Sequence, residues 1–89
     1  MLTYQQLETI AGILGWTVQD VESAIAELND GFMQPDVQEF AWPDDDAEIA
    51  EAGIYYRLSA PGYLDCTDWS GPFETVEEAV ADMLSMYAD

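Results

Sequence analysis

Apolar residues recur at helical spacing in three stretches of the chain and at strand spacing between them, and the switch of period lays out the elements. Leu7, Ile10, Ala11 and Leu14 share one helical face. Thr3 stands before them as an N-cap, with Gln6 placed to reach back as in a capping box, which predicts a first helix over 4–14 that stops near Gly15. Thr17 repeats the device. Asp20 sits in the first turn that follows, where the helix dipole favours an anion, and Val18, Val21, Ile25 and Leu28 form the stripe of a second helix over 18–29, closed before Gly31. Thr75 with Glu78 is a third capping-box pair. Val76, Ala79, Val80, Met83, Leu84 and Tyr87 then recur at amphipathic spacing and predict a helix over 76–87.

The period is two between the second and third helices. Residues 32–43 contain Pro35 and alternate Val37, Glu39 and Ala41 against Gln38, Phe40 and Trp42, which reads as an edge strand or an extended loop. Asp44, Asp45 and Asp46 precede Glu48, Ile49, Ala50, Glu51 and Ala52, so they either cap a short helix ended by Gly53 or form a solvated acidic loop. Ile54 to Ser59, a Pro61-Gly62 turn, and Tyr63 to Trp69 read as an antiparallel hairpin that Ser70-Gly71-Pro72-Phe73 breaks. The order predicts one α+β domain over 1–89: an N-terminal helical hairpin, a small antiparallel sheet including a β-hairpin, and a C-terminal amphipathic helix.

Charge changes the picture more than any motif does. Nineteen of the twenty fixed charges are carboxylates, Arg57 is the single base, and lysine and histidine are absent, leaving a net charge of −18 on 89 residues. Self-repulsion on that scale opposes compaction, yet a hydrophobic content of 49% with three Trp and five Tyr exceeds what an acidic disordered tail carries, so the chain is expected to fold. No run reaches the roughly 18 apolar residues that span a bilayer, and the start lacks a basic signal-peptide region. Cys66 has no partner cysteine and reads as a small buried strand residue. The expected setting is soluble and intracellular, the cytoplasm of a bacterial host, without membrane contact.

Catalysis is not expected. A neutral-pH enzyme needs a nucleophile with a base, a tuned acid–base pair, or a metal, and neither histidine nor lysine is present to supply one. Paired carboxylates for glycoside hydrolysis require a cleft with aromatic walls. An EF-hand count from Asp44 puts Ile49 where the loop needs glycine, so no metal and no cofactor is expected. Residues 4–29 resemble a helix-turn-helix, but Asp20, Glu22 and Glu27 occupy the face that would meet phosphates, and the chain as a whole is repelled by nucleic acid.

Acids four residues apart on a helix are about 6 Å apart along its axis, and alternate strand residues roughly 6.6–6.8 Å apart, spacings close to that of successive phosphates on one strand. Eighteen net charges correspond to on the order of 30 Å of duplex, or about nine base pairs. A folded acidic protein can therefore imitate a polyanion for a basic nucleic-acid-binding protein. In size, charge and the tail Thr67-Asp68-Trp69-Ser70-Gly71-Pro72-Phe73-Glu74-Thr75-Val76-Glu77-Glu78-Ala79, the chain resembles the small acidic anti-CRISPR and anti-restriction DNA mimics encoded by phages. The resemblance implies a non-enzymatic inhibitor that occupies the DNA-receiving surface of a CRISPR effector complex. The partner-binding candidates are Asp44, Asp45, Asp46, Glu48 and Glu51 as the densest patch, Asp20, Glu22 and Glu27 on the second helix, and Glu74, Glu77, Glu78 and Asp82 around the third.

Two other readings stand beside this one. Halophile proteins also carry many acids with little lysine. An adaptor or assembly protein would present Tyr55, Tyr56, Tyr63 and Trp69 as an exposed aromatic stripe on the hairpin, although alternate residues of such a hairpin equally face a core.

Overall fold

The computed structural model describes residues 2–31, 34–46, 48–60 and 67–87. Six elements follow one another: α1 (Tyr4–Leu14), α2 (Val18–Asp30), β1 (Gln34–Phe40), β2 (Gly53–Ser59), β3 (Ser70–Phe73) and α3 (Val76–Tyr87). The strands form one antiparallel sheet in the order β1-β2-β3, and the helices pack on one of its faces, which is an α+β fold.

The helix boundaries follow from their caps. Thr3 Oγ1 accepts from the Gln6 N–H at 3.1 Å and the Gln6 carboxamide oxygen accepts from the Thr3 N–H at 2.8 Å, closing the capping box at α1. Thr17 Oγ1 accepts from the Asp20 N–H at α2. At α3 the box is half-formed. Thr75 Oγ1 accepts from the Glu78 N–H, but the Glu78 carboxylate takes the N–H of Glu74 in place of that of Thr75.

β2 is the central strand, with Ile54, Tyr56 and Leu58 on one face and Tyr55 and Arg57 on the other. Ile54, Tyr56 and Leu58 point into the core with Ile10, Val21, Val80 and Leu84 of the three helices. Tyr55 faces the opposite side and is nevertheless only 5% exposed, because Phe40 and Trp69 close around it and Ile49 is buried beneath the connection from β1 to β2. The helices thus cover one face of the sheet, and the loop meets the other at Tyr55, whose hydroxyl donates to the Glu51 carbonyl.

Two open readings are resolved and one expectation is corrected. Residues 32–43 supply a true strand, β1, with Pro35 at the sheet edge, where its missing N–H interrupts no ladder. Of the two readings of the acidic segment, helix cap or loop, the structure takes the loop. Asp44 and Ile49 exchange two backbone hydrogen bonds, Asp44 Oδ1 accepts from the Asp46 N–H, and Gly53 opens β2 instead of ending a helix. Consecutive aspartates favour such side-chain-to-backbone turns over helix interior. The correction concerns the hairpin. Thr67 to Trp69 are irregular while Ser70-Gly71-Pro72-Phe73 forms β3, pairing Tyr56 with Ser70 and Ile54 with Phe73, so three steps on β3 oppose two on β2. That bulge on an edge strand accommodates the Gly-Pro pair that reads as a break. The expected turn at Pro61-Gly62, the strand residues 63–66 and the Cys66 assignment lie outside the described residues.

The close fit of β2 against β3 depends on two glycines. A Cβ on Gly53 (φ 155°) would lie 2.5 Å from Pro72 Cβ, and one on Gly71 (φ 149°) would lie 2.7 Å from Tyr55 Cδ2 and 2.8 Å from the Ile54 carbonyl oxygen. Gly53→Ala is expected to cost about 1–3 kcal/mol, a fall in melting temperature of roughly 5 °C or more, readable in a thermal melt followed by near-ultraviolet circular dichroism. An unchanged midpoint would show that the strand junction has room to yield.

Candidate functional site

Strand register brings separate acidic segments to one place. Phe40 pairs with Gly53 and Ile54 with Phe73, so β1 ends, β2 begins and β3 ends at the same edge of the sheet. The loop 41–52 leaves and returns there, and the chain that follows β3 enters α3 there. Asp44, Asp45, Asp46, Glu48 and Glu51 from the loop, and Glu74, Glu77 and Glu78 from the start of α3, therefore emerge at one end of the molecule. They are eight of the nineteen carboxylates. Glu77 and Glu78 also lie in the first turn of α3, where the helix dipole offsets part of their mutual repulsion.

The loop is held from below. Phe40 meets the Tyr55 ring edge-on at 5.6 Å and the Trp69 ring at 5.2 Å. Ile49 is 3% exposed, and the Tyr55 hydroxyl donates to the Glu51 carbonyl at 2.8 Å. Asp45, Asp46, Glu48 and Glu51 stay on the surface, while Asp44 is half-buried by its turn. Sequence reasoning missed Trp42 at this loop. It is 74% exposed, the most exposed of the large apolar side chains among the described residues. Its neighbours Pro43 and Asp44 were a usable signal, since a turn beside a charged run does not bury an indole.

On α3 the acids take two roles. The Glu74 backbone N–H donates to the Glu78 carboxylate at 3.3 Å, which fixes the exposed Glu78 side chain over the start of α3. Asp82 is half-buried and accepts from the Tyr56 hydroxyl at 2.6 Å. Burial, reinforced by this bond and by the Asp82 charge, pushes the Tyr56 phenol well above its ordinary pKa, with a counteracting hydrogen bond from Ser70. Asp82 thus ties helix to sheet while facing solvent beside Glu78.

On α2 the three candidates divide. Each residue advances about 100° around a helix, so Asp20 and Glu27, seven apart, stand on one flank near Trp16 and Ser23, and Glu22 stands on the other near Tyr4 and Asn29. The structure brings Asp20 and Glu27 together and separates Glu22 from them.

Comparison with protein-family models, with curated proteins and with solved structures gave no match.

The aromatic stripe expected on the hairpin is not a surface. Tyr55 and Tyr56 are buried, Trp69 is half-buried beneath the Arg57 guanidinium at 4.3 Å, and Tyr63 lies outside the described residues. Tyr56 packs among the helices, and Tyr55, on the opposite face, is held by Phe40 and the Glu51 carbonyl. Arg57 also forms an ion pair with Asp36 at 3.4 Å, on the face of the sheet opposite the helices. Among the described residues no group of three or more acidic, cysteine or histidine side chains is placed to hold a metal ion, and no helix is long and apolar enough to cross a membrane.

Proposed function

We propose that this protein is a non-enzymatic polyanion mimic, a phage-type inhibitor that acts in the bacterial cytoplasm by occupying the nucleic-acid-binding surface of a host defence complex. The observation that carries the reading is the concentration of eight carboxylates from two chain segments at one end of the sheet, five of them on a loop anchored by Phe40, Ile49 and Tyr55. A fixed array of anions matches a basic groove without the ordering cost that a flexible acidic tail carries. The longest dimension of the fold, 38 Å, accommodates the roughly 30 Å of duplex to which its net charge corresponds. The target class, a CRISPR effector complex, is taken from the resemblance to anti-CRISPR DNA mimics.

Competition between the protein and fluorescent target duplex for a purified CRISPR effector, across a salt series, tests this reading. Displacement of duplex at 0.05 M salt is expected to weaken steeply by 0.3 M, as for any ligand whose binding releases counterions. A protein that folds cooperatively at about 0.1 M salt, where screening reaches only about 10 Å, is not relying on halophilic conditions. Absence of displacement at every salt concentration, for effectors of several types, would reject the proposal.

A further inference from the structure

Trp42 is the most exposed large aromatic ring among the described residues, and the fold holds one example of a cation between an aromatic ring and a carboxylate. On the face of the sheet opposite the helices the Arg57 guanidinium lies 4.3 Å from the centre of the Trp69 ring and 3.4 Å from the Asp36 carboxylate. One planar cation is held by a π-face and an anion together. At the surface, Trp42 and the aspartates that follow it offer the same two kinds of group from neighbouring positions in the chain. Its indole is 74% exposed, Asp44 to Asp46 follow two residues later, and the loop that carries them is pinned at Phe40 and Ile49. Exposing an indole forgoes burial of one of the largest apolar side chains, and tryptophan and arginine are the residues that most often dominate interface energetics.

We infer that Trp42 and the adjoining Asp45 and Asp46 form an arginine-accepting site, in which a guanidinium from the partner stacks on the indole while its N–H groups meet the carboxylates. The occupant is an arginine-bearing basic groove. A second copy of this chain is disfavoured by repulsion between two molecules of net charge −18. Lysine is a compact point charge that gains from the carboxylates but matches the ring less well, so the site discriminates between two cations of equal charge. In the setting of the proposed function, on which this inference rests, the indole adds a stacking contact for one arginine of the groove to the charge contacts of the carboxylates.

The test uses the full chain with two probes, an oligoarginine and an oligolysine peptide of equal length, titrated by intrinsic tryptophan fluorescence and by calorimetry at low salt. The wild type is expected to bind oligoarginine about two- to fivefold more tightly than oligolysine per stacked guanidinium, with a change in Trp42 emission. Trp42→Ala should erase that preference while leaving the melting temperature and the oligolysine affinity unchanged, and Trp42→Phe should restore part of it. An arginine preference that survives Trp42→Ala, equal binding of both peptides by the wild type, or a monomer–dimer shift abolished by Trp42→Ala in place of any arginine preference would each overturn the site. If neither peptide binds, the polyanion reading fails first and this inference falls with it.

Discussion

Replacing Asp45 and Asp46 by Asn together with Glu48, Glu51, Glu74 and Glu78 by Gln is expected to weaken competition with DNA for a CRISPR effector by on the order of a hundredfold at low salt. Exposed ion pairs contribute about 0.2–1 kcal/mol each, so six together approach about 3 kcal/mol, and every 1.4 kcal/mol is a factor of about ten. The six are chosen because they project from one end of the sheet and because none is required by the fold in its charged form. Asp44 is left in place because its carboxylate accepts the Asp46 N–H that shapes the loop. A glutamine at 78 retains a carbonyl oxygen to accept from the Glu74 N–H, so the entrance to α3 is preserved. Removing six like charges from a chain of net charge −18 should raise the melting temperature at low salt, by relief of self-repulsion. Loss of competition with a raised or unchanged midpoint supports the acidic end as the contact surface. Undiminished competition would move the contact elsewhere on the molecule, with Asp20 and Glu27 on α2 as the next pair to neutralise.

Tyr56 is expected to be the most sensitive single position. It is 2% exposed, stacks on Phe73 at 5.9 Å, meets Tyr87 edge-on at 6.4 Å and joins β2 to α3 through Asp82. Tyr56→Ala should cost about 3–5 kcal/mol, as aromatic-to-alanine changes in cores do, which is a large share of the roughly 5–15 kcal/mol that stabilises a typical domain. Tyr56→Phe keeps the packing and loses one hydrogen bond, about 1 kcal/mol, because the half-buried Asp82 regains water. The two variants also separate packing from proton linkage. Burial first, and Asp82 second, favour the neutral phenol in the folded state, so the folded pKa lies above the ordinary 10.0. The stability this group contributes is complete below about pH 10 and drains away as the pH rises beyond it, because only the unfolded chain can then release the proton readily. Denaturant midpoints measured from pH 8 to pH 11.5 should fall more steeply for the wild type than for Tyr56→Phe. Parallel pH profiles would show that the phenol ionises as easily in the fold as out of it.

Local chemistry was legible wherever it acts over a few residues. Thr3 with Gln6, Thr17 with Asp20 and Thr75 with Glu78 are contacts three residues apart, and all three helices begin where those pairs place them. The edge position of Pro35 was legible for the same reason. The acidic stretch after Pro43 was ambiguous between helix cap and loop because either use satisfies aspartate side chains locally. The choice was made by Ile49, which is drawn under the loop and buried against the far face of the sheet. Ser70 to Phe73 was misread because Gly71-Pro72 signals a break in isolation. It becomes a bulged edge strand only where β2 offers Ile54 and Tyr56 as partners.

For the candidate site the division is sharper. The sign and size of the charge, the absence of histidine and lysine, and the run from Asp44 to Glu51 are properties of composition and need no coordinates. Whether the loop acids and the acids that open α3 share one end of the molecule is a matter of register. It follows from Phe40 pairing with Gly53 and Ile54 with Phe73, contacts between residues far apart in the chain. The same long-range packing turns Tyr55 and Tyr56 inward and leaves Trp42 outside, whereas the step of about 100° per residue along α2 is enough to put Glu22 on the opposite flank from Asp20 and Glu27. Periodicity and capping are read within one or two turns of chain, whereas the face a side chain presents depends on which distant segment covers the other.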